Sequence, residues 1–338
     1  MNYGRPGDRR QQGNDPAGRG PSPGSARADR GQPGARGRAH RAGCRSGGRD
    51  GRPAGTVHLR LRSEPGDLGC AEARGGRTDR WLAATARRLG IYLGAGAAET
   101  DGTDFFNVFT LATPDGEIAG RVYKANAEAS IFRRGRAAHL IDTRAGRIGV
   151  GICADNQFAA TLRVMREQRA DLILMPHAWP TPVRAADLVS EADVAAQQER
   201  MTQLPVLYAR ALGVPVVFVN QVGPLQPIGG ILGHLMDPGI WRLRGQSRIV
   251  DSDGSVLGQL GEDEGALTAD AVMDPGRKHY AAQPSFGGWL QPGPWAGRRI
   301  IFPLDIAVGR VGCTVSRERR RKARAAAQGT NDPAIMTA

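Results

Sequence analysis

The chain has 338 residues, with 46 Lys plus Arg against 33 Asp plus Glu and a formal net charge of +13. That length accommodates one large α/β domain or two small ones. No apolar run approaches a membrane span and no secretory apolar region is visible. The four cysteines, Cys44, Cys70, Cys153 and Cys313, form no CxxC pair, which argues against zinc and against a disulfide framework. A reducing, cytoplasmic setting is therefore expected.

Taken in chain order, the basic balance belongs mainly to the beginning. Residues 1–80 hold 17 Arg and no Lys against 8 acidic residues, and Tyr3 is the only aromatic residue before Trp81. Residues 1–70 are rich in Gly, Pro, Ala and Arg and too poor in apolar groups to offset the entropy of ordering, so they read as disordered. Three further readings of this arm stand beside that one. It is a non-specific nucleic-acid-binding arm, though aromatic interleaving is missing. It is a transit peptide, though its acids and prolines speak against that. Or it is an out-of-frame translation of GC-rich DNA, which would have this composition.

From about Arg80 the composition is that of an ordinary globular domain. Helical spacing over 80–89 makes Trp81, Leu82, Thr85, Ala86 and Leu89 available to a core, and Gly90 ends the helix. A strand follows over 91–96. Strands over 105–111 and 117–123 flank Pro114-Asp115-Gly116, a hairpin turn signal. Next come a strand ending at Cys153, a helix to about Gln168 with Phe158, Leu162 and Met165 on one face, and a strand over 171–176. A longer helix over 195–212 leads to a strand over 214–220. A last hairpin, 247–250 and 256–260, turns on Asp253-Gly254. Beyond Tyr280 the pattern is irregular, and 281–338 reads as an extended tail. Strands alternating with helices, with two inserted hairpins, predict an α/β body of sheets covered by helices.

The join at Cys153 is the most informative point. Arg147 to Ile152 is a buried-strand pattern, and the polar residues after Cys153 open a helix. A cysteine at a helix N-terminus meets converging N–H groups that favour a thiolate and an oxyanion, the geometry of a covalent nucleophile. A buried, inert core cysteine is the competing reading.

The segments Gly120 to Lys124, Glu128 to Gly135, Gly149 to Asp155 and Ala170 to Trp179 occur in a specific order and spacing. With Arg210-Ala211, Val219 to Gly223 and Ile249 to Gly254, they resemble the carbon–nitrogen hydrolase (nitrilase-like) superfamily over roughly residues 70–275. The resemblance implies an α-β-β-α sandwich for residues 71–280 and a Glu-Lys-Cys catalytic set, in which Cys153 is the nucleophile, Lys124 the lysine and Glu128 a supporting glutamate. It implies no cofactor and no metal, a small-molecule amide substrate, no membrane partner and a homo-oligomer. Ala154 would supply an oxyanion-binding N–H, and Asn156, Phe158, His177 and Trp179 fall where relatives line the pocket. True nitrilases usually carry Trp-Glu after the nucleophile. Ala154-Asp155 here favours an amidase-type activity on amides or N-carbamoyl compounds.

Such chemistry needs these residue types. An amide carbon is a poor electrophile, so a thiolate attacks it and splits hydrolysis into thioester formation and thioester hydrolysis. The oxyanion of the tetrahedral intermediate needs fixed donors, each worth about 3–4 kcal/mol in a dry site. A carboxylate must move the protons.

In one respect the chain departs from the pattern. The family's principal glutamate follows a Pro at the end of an early strand, upstream of the lysine. Glu64 and Glu72 are the only N-terminal glutamates, and neither reads as following a Pro or a strand. The early strand and helix of the sandwich read as missing or degraded, which predicts an exposed strand edge, low stability and impaired turnover. Two rivals follow: a catalytically inactive remnant or binding protein on the same fold, and a nucleic-acid-binding protein that uses the basic arm.

Overall fold

Alternation of apolar residues decides the architecture. In the central strands, Leu172 and Leu174, and Val217 and Val219, point one way, while Ile173 and Met175, and Val216 and Phe218, point the other. A strand presents successive side chains to opposite faces, so these strands are apolar on both and must be covered on both. The structure, a computed structural model, describes residues 57–61, 68–127, 131–136, 138–186, 189–225, 235–293 and 297–329. All of them lie within one compact unit, Arg38–Ala338.

The first sheet has the order β1 (Val57–Leu61), β2 (Tyr92–Thr100), β3 (Phe105–Ala112), β4 (Ile118–Tyr123). β1 runs parallel to β2, and the other pairs are antiparallel. The second sheet is built from β5 (Leu140–Thr143), β6 (Gly146–Val150), β7 (Leu172–His177), β9 (Val216–Asn220), β12 (Arg248–Val250) and β13 (Val256–Gln259), in the order β13-β12-β9-β7-β6-β5. Between the sheets, Tyr92, Phe109, Leu111 and Val122 meet Ile148, Val150, Leu172, Leu174, Val217 and Ile249. Each such side chain contributes about 1.5–3 kcal/mol by leaving water.

Helices cover the outer faces. α1 (Arg77–Leu89) sets Leu82 and Ala86 on Leu93, Ala95 and Ala112 of the first sheet. Trp81 and Leu89, available to the core by spacing, stay exposed at 38% and 45%. Gly90 ends the helix in the left-handed region at φ 62, where a side chain would be strained. α2 (Ala159–Glu167) and α3 (Glu191–Leu212) bury Leu162, Met165, Met201, Leu204 and Tyr208 against the outer residues of the second sheet. This is the α-β-β-α sandwich that the resemblance implied.

Three readings are corrected, and one sheet was not predicted at all. The disordered segment 1–70 contains β1, whose partner strand β2 it extends; the rest of that segment before Leu68 lies outside the described residues. An N-terminal strand is thus present at the edge thought bare. The three-stranded sheet of β10 (Val222–Pro224), β11 (Trp241–Arg244) and β8 (Pro180–Pro182) escaped the sequence because prolines at 180, 182 and 224 obscure a strand pattern. The extended tail instead holds α4 (Phe302–Val315) and α5 (Arg317–Gly329). α5 places Ala323 and Ala326 against Ala71, Phe105, Ile131 and Phe132, and its Arg319 pairs with Asp104 at 3.4 Å. Among the described residues no helix is long and apolar enough to cross a membrane, and no cluster of ligating side chains is arranged to hold a metal.

Candidate active site

β6 ends at Val150, and the chain buries Ile152 in the same core before it turns sharply. Cys153 takes φ 49, a left-handed conformation that a non-glycine residue holds only under constraint, at a cost of about 1–3 kcal/mol. The residues that follow are not yet α-helix. Cys153–Gln157 is a 3-10 turn, and α2 begins at Ala159. Cys153 therefore does not sit at the N-terminus of α2, as the helical pattern suggested. Its placement comes from a strained elbow.

The tightness of the elbow has an identifiable cause. Asn156, fully buried, folds back and donates from Nδ2 to the Gly151 carbonyl at 2.6 Å. A Cβ on Gly151 would lie 1.8 Å from Asn156 Oδ1, so only glycine fits there. Tyr208 of α3 donates its buried hydroxyl to the Asn156 carbonyl at 3.0 Å. Burial, with the Asp155 carboxylate nearby, pushes the Tyr208 phenol well above its ordinary value, so it remains a donor.

Asp155 joins the elbow to the segment carrying the lysine. Its buried carboxylate accepts from Ala125 N at 3.2 Å and from Asn126 N and Nδ2 at 2.7 and 3.0 Å. Lys124, at the end of β4, is buried at 2% exposure, with its N–H bonded to Asn107 O and its carbonyl receiving Gly135 N. Cys153 and Lys124 are brought to the wall of one cavity of about 510 Å3, together with Ala154, His177 and Trp179. Asn156 and Phe158, expected on that wall, stand behind it. The 3-10 turn directs Asn156 inward to Gly151, and Phe158 packs on Trp289 with ring centroids 4.5 Å apart.

His177 is fully buried, stacked on Trp179 and tilted against Phe218. Its pKa is lowered to about 3, by burial first and then by the Lys124 ammonium, so the ring is neutral near pH 7. Asn156 Nδ2 lies 2.9 Å from Nε2, while Nδ1 has no hydrogen-bond partner. A ring with so low a pKa and with Nε2 engaged is too weak a base to serve Cys153. Trp179 is held by Asn220, whose Oδ1 accepts from Trp179 N at 2.8 Å and whose Nδ2 donates to Gly245 O at 3.0 Å.

Carboxylates are missing from the described part of the cavity wall. Glu128 lies outside the described residues. Glu72 caps α1, accepting from Thr78 N at 2.6 Å and Thr78 Oγ1 at 3.0 Å, which is a structural duty. β1 ends three residues before Glu64 in sequence, so the reading that no strand precedes that glutamate is also corrected.

The model of the carbon–nitrogen hydrolase family matches residues 62–276. The chain belongs to that family. Among curated relatives it is similar to a citrullinase of Francisella tularensis, 34% identical over 144 residues, which span 40% of this chain and 48% of the relative. An omega-amidase of Danio rerio is 27% identical over 124 residues, 32% of this chain and 44% of the relative. This carbon–nitrogen hydrolase chain spans about half the length of the curated relatives it matches. Among solved structures, a carbon–nitrogen hydrolase from Helicobacter pylori G27 is 23% identical, with 61% of this chain and 74% of that chain covered and a TM-score of 0.49.

Several residues of the site were not singled out by sequence reasoning. Asp155 lay inside the quoted motif, but nothing local revealed that its carboxylate reaches residues 125 and 126. Tyr208 drew no reading within its helix, and Asn220 lay inside the quoted Val219 to Gly223 segment without a role of its own. Arg200, on the cavity wall, drew no reading of its own within the helix over 195–212.

Proposed function

We propose that this chain hydrolyses the carbon–nitrogen bond of a small amide through a thioester on Cys153. The observation that carries the reading is the shared wall: a cysteine on a strained elbow and a buried lysine open onto one cavity, in a chain of this family. The Cys153 thiolate attacks the amide carbon and forms the C–S bond, and the oxyanion is held by the Lys124 ammonium and the Ala154 N–H. The C–N bond then breaks and ammonia leaves, taking the thiol proton by way of a carboxylate. Water next attacks the thioester, the C–S bond breaks, and the acid is released with the thiol restored. Lys124 also favours the thiolate.

His177 is unsuited to the proton transfers because a pKa of about 3 makes it a weak base and its Nε2 is engaged by Asn156. A carboxylate must serve, and Glu128 is the first candidate. Glu64 is the second, now that a strand precedes it. The choice of amides over nitriles rests on Ala154-Asp155 following the nucleophile.

Ammonia release from simple aliphatic amides, with mass spectrometry of the enzyme trapped at early times, tests this reading. The expected result is an acyl adduct on Cys153 and loss of turnover by orders of magnitude in Cys153→Ala. Glu128→Gln and Glu64→Gln identify the base by the larger loss. A chain that releases no ammonia and whose Cys153 reacts with iodoacetamide no faster than Cys70 would instead be a binding protein on this fold.

A further inference from the structure

The geometry around Gly151 fixes where the hydrogens lie in one buried pair, Asn156 and His177. Asn156 Nδ2 is 2.6 Å from the Gly151 carbonyl oxygen and 2.9 Å from His177 Nε2. The Gly151 oxygen only accepts, so the amide NH2, and not Oδ1, must face it. One hydrogen of that NH2 goes to Gly151 and the other is left for Nε2. A ring with a hydrogen on Nε2 would set donor against donor. Nε2 is therefore the acceptor, and in the neutral ring the hydrogen sits on Nδ1.

The two members of the pair are held very differently. His177 is the last residue of β7, in register with Asn220 of β9, and its carbonyl accepts from Gln221 N at 3.1 Å. Its ring is fully buried, with Trp179 stacked at 5.6 Å and Phe218 tilted at 4.8 Å between centroids. Asn156 belongs instead to the elbow, three residues after Cys153 at φ 49. Its bond to Gly151 spans five residues and stays inside the elbow, so it moves with the elbow. Its bond to His177 spans 21 residues and reaches a central strand of the sheet. A left-handed non-glycine residue persists only where its surroundings over-determine it. A tether to a fixed strand does that; a bond within the turn does not.

We propose that His177 is a positioning residue: its Nε2 is a fixed acceptor that holds Asn156, and through Asn156 the elbow that presents Cys153. Burial and the Lys124 ammonium keep the ring uncharged near pH 7, so the acceptor is retained there. The effect on turnover rests on the hydrolase reading, whereas the effect on the Cys153 thiol does not. His177 also lies on the cavity wall, so the rival role is direct contact with substrate, which would show in KM.

The test compares His177→Leu, which removes the acceptor, with His177→Gln, whose Oε1 can stand in for Nε2. In His177→Leu one buried Asn156 hydrogen loses its partner. Both kcat on simple aliphatic amides and the rate of iodoacetamide labelling of Cys153 are expected to fall by about tenfold or more, with KM little changed. His177→Gln should restore most of both. Added to Asn156→Ala, in which the bond is already gone, His177→Leu should cost no more than about a further twofold. A fall confined to KM, a Leu variant as reactive as the parent, a Gln variant no better than Leu, or full additivity with Asn156→Ala overturns the proposal.

Long-range proton–nitrogen NMR spectra of the parent give a readout independent of folding in the variants. The His177 signals, identified by their absence from His177→Gln, are expected to show a hydrogen on Nδ1 and none on Nε2. A hydrogen on Nε2 overturns the proposal whatever the activity. A parent with the expected tautomer and labelling pattern that releases no ammonia would sink the hydrolase reading and leave the positioning role standing. Turnover with labelling indifferent to residue 177 would do the reverse.

Discussion

The cavity has two walls of different construction. One comes from the family core and carries Lys124, Cys153, His177 and Trp179. It is fastened by fully buried polar groups: the Asp155 carboxylate on residues 125 and 126, Asn156 on Gly151, Tyr208 on Asn156, and Asn220 on Trp179. The other comes from beyond residue 276 and carries Trp289, Arg298 and Phe302. It is attached by backbone hydrogen bonds that include Ala159 N to Gly288 O and Leu290 N to Gln157 O, both 2.9 Å, by Gln291 Nε2 donating to Arg200 O at 3.0 Å, by buried Leu290, and by the stack of Phe158, Trp289 and Phe302. Positioning reacting atoms tolerates little error, and buried, mutually satisfied polar groups fix position. Recognising the rest of a substrate tolerates more, and an aromatic stack on a folded-back tail is suited to that. On the proposed function, the first wall would carry the chemistry and the second the selection.

Changing Asp155 to Asn is the strongest way to break this division after loss of Cys153 itself. The substitution keeps the shape but turns an acceptor-only group toward the two backbone N–H donors, leaving at least one of them opposed by an amide NH2. The Lys124 segment then shifts relative to Cys153. Turnover is expected to fall on the order of a hundredfold in kcat, with KM changed far less. Iodoacetamide labelling of Cys153 reports whether the elbow itself survives. A fall confined to KM would mean that Asp155 serves selection, and the distinction between the walls would collapse.

A second measurement sharpens the comparison through pH. His177 belongs to the first wall, and its pKa is lowered to about 3 from an ordinary 6.5. The unfolded chain therefore binds a proton below pH 6.5 that the folded chain refuses until about pH 3. Stability is full above pH 6.5 and falls as the pH drops through that window. At pH 5 the loss from this group is on the order of 2 kcal/mol. Denaturant melts of the parent and of His177→Gln at pH 7 and pH 5 check it, the variant losing less between the two. Equal losses would show that the ring titrates as though exposed and that the first wall is not sealed.

The sandwich was legible because its signals are local and periodic. The β3–β4 hairpin follows from Pro114-Asp115-Gly116, and the central strands from apolar runs bounded by polar turns. The position of Cys153 on the cavity wall was legible because a strand ending in cysteine is conspicuous. The bond partners of Asp155 were not, because 29 and 30 residues separate them from it and no pattern marks a carboxylate that accepts backbone N–H groups. The elbow was misread as helix because the residues from Phe158 onward do have helical spacing, while the preceding 3-10 turn is set by Asn156 reaching back to Gly151. β1 was hidden in a stretch whose arginines and glycines speak for disorder; only the β2 edge beside it gives Val57, Leu59 and Leu61 a strand to pair with. Beyond residue 280 the aromatic residues among glycines looked irregular because each packs on a distant partner.

That last point yields the mildest prediction. Trp289 touches Phe158 at 4.5 Å and Phe302 at 5.3 Å between ring centroids, so it joins the residue just before α2 to the first residue of α4. Aromatic pairs add about 0.5–1.5 kcal/mol each beyond the area they bury. In Trp289→Ala the elbow keeps Asn156, Asp155 and Tyr208, all on the other wall, while the tail loses its main apolar anchor. KM for a preferred amide should rise by roughly tenfold, with kcat reduced much less than in Asp155→Asn. A collapse of kcat instead would mean that the tail stack transmits to Cys153 through Phe158, and that the tail is part of the elbow's support. The ratio of the two losses, measured on one substrate, decides how separate the walls are.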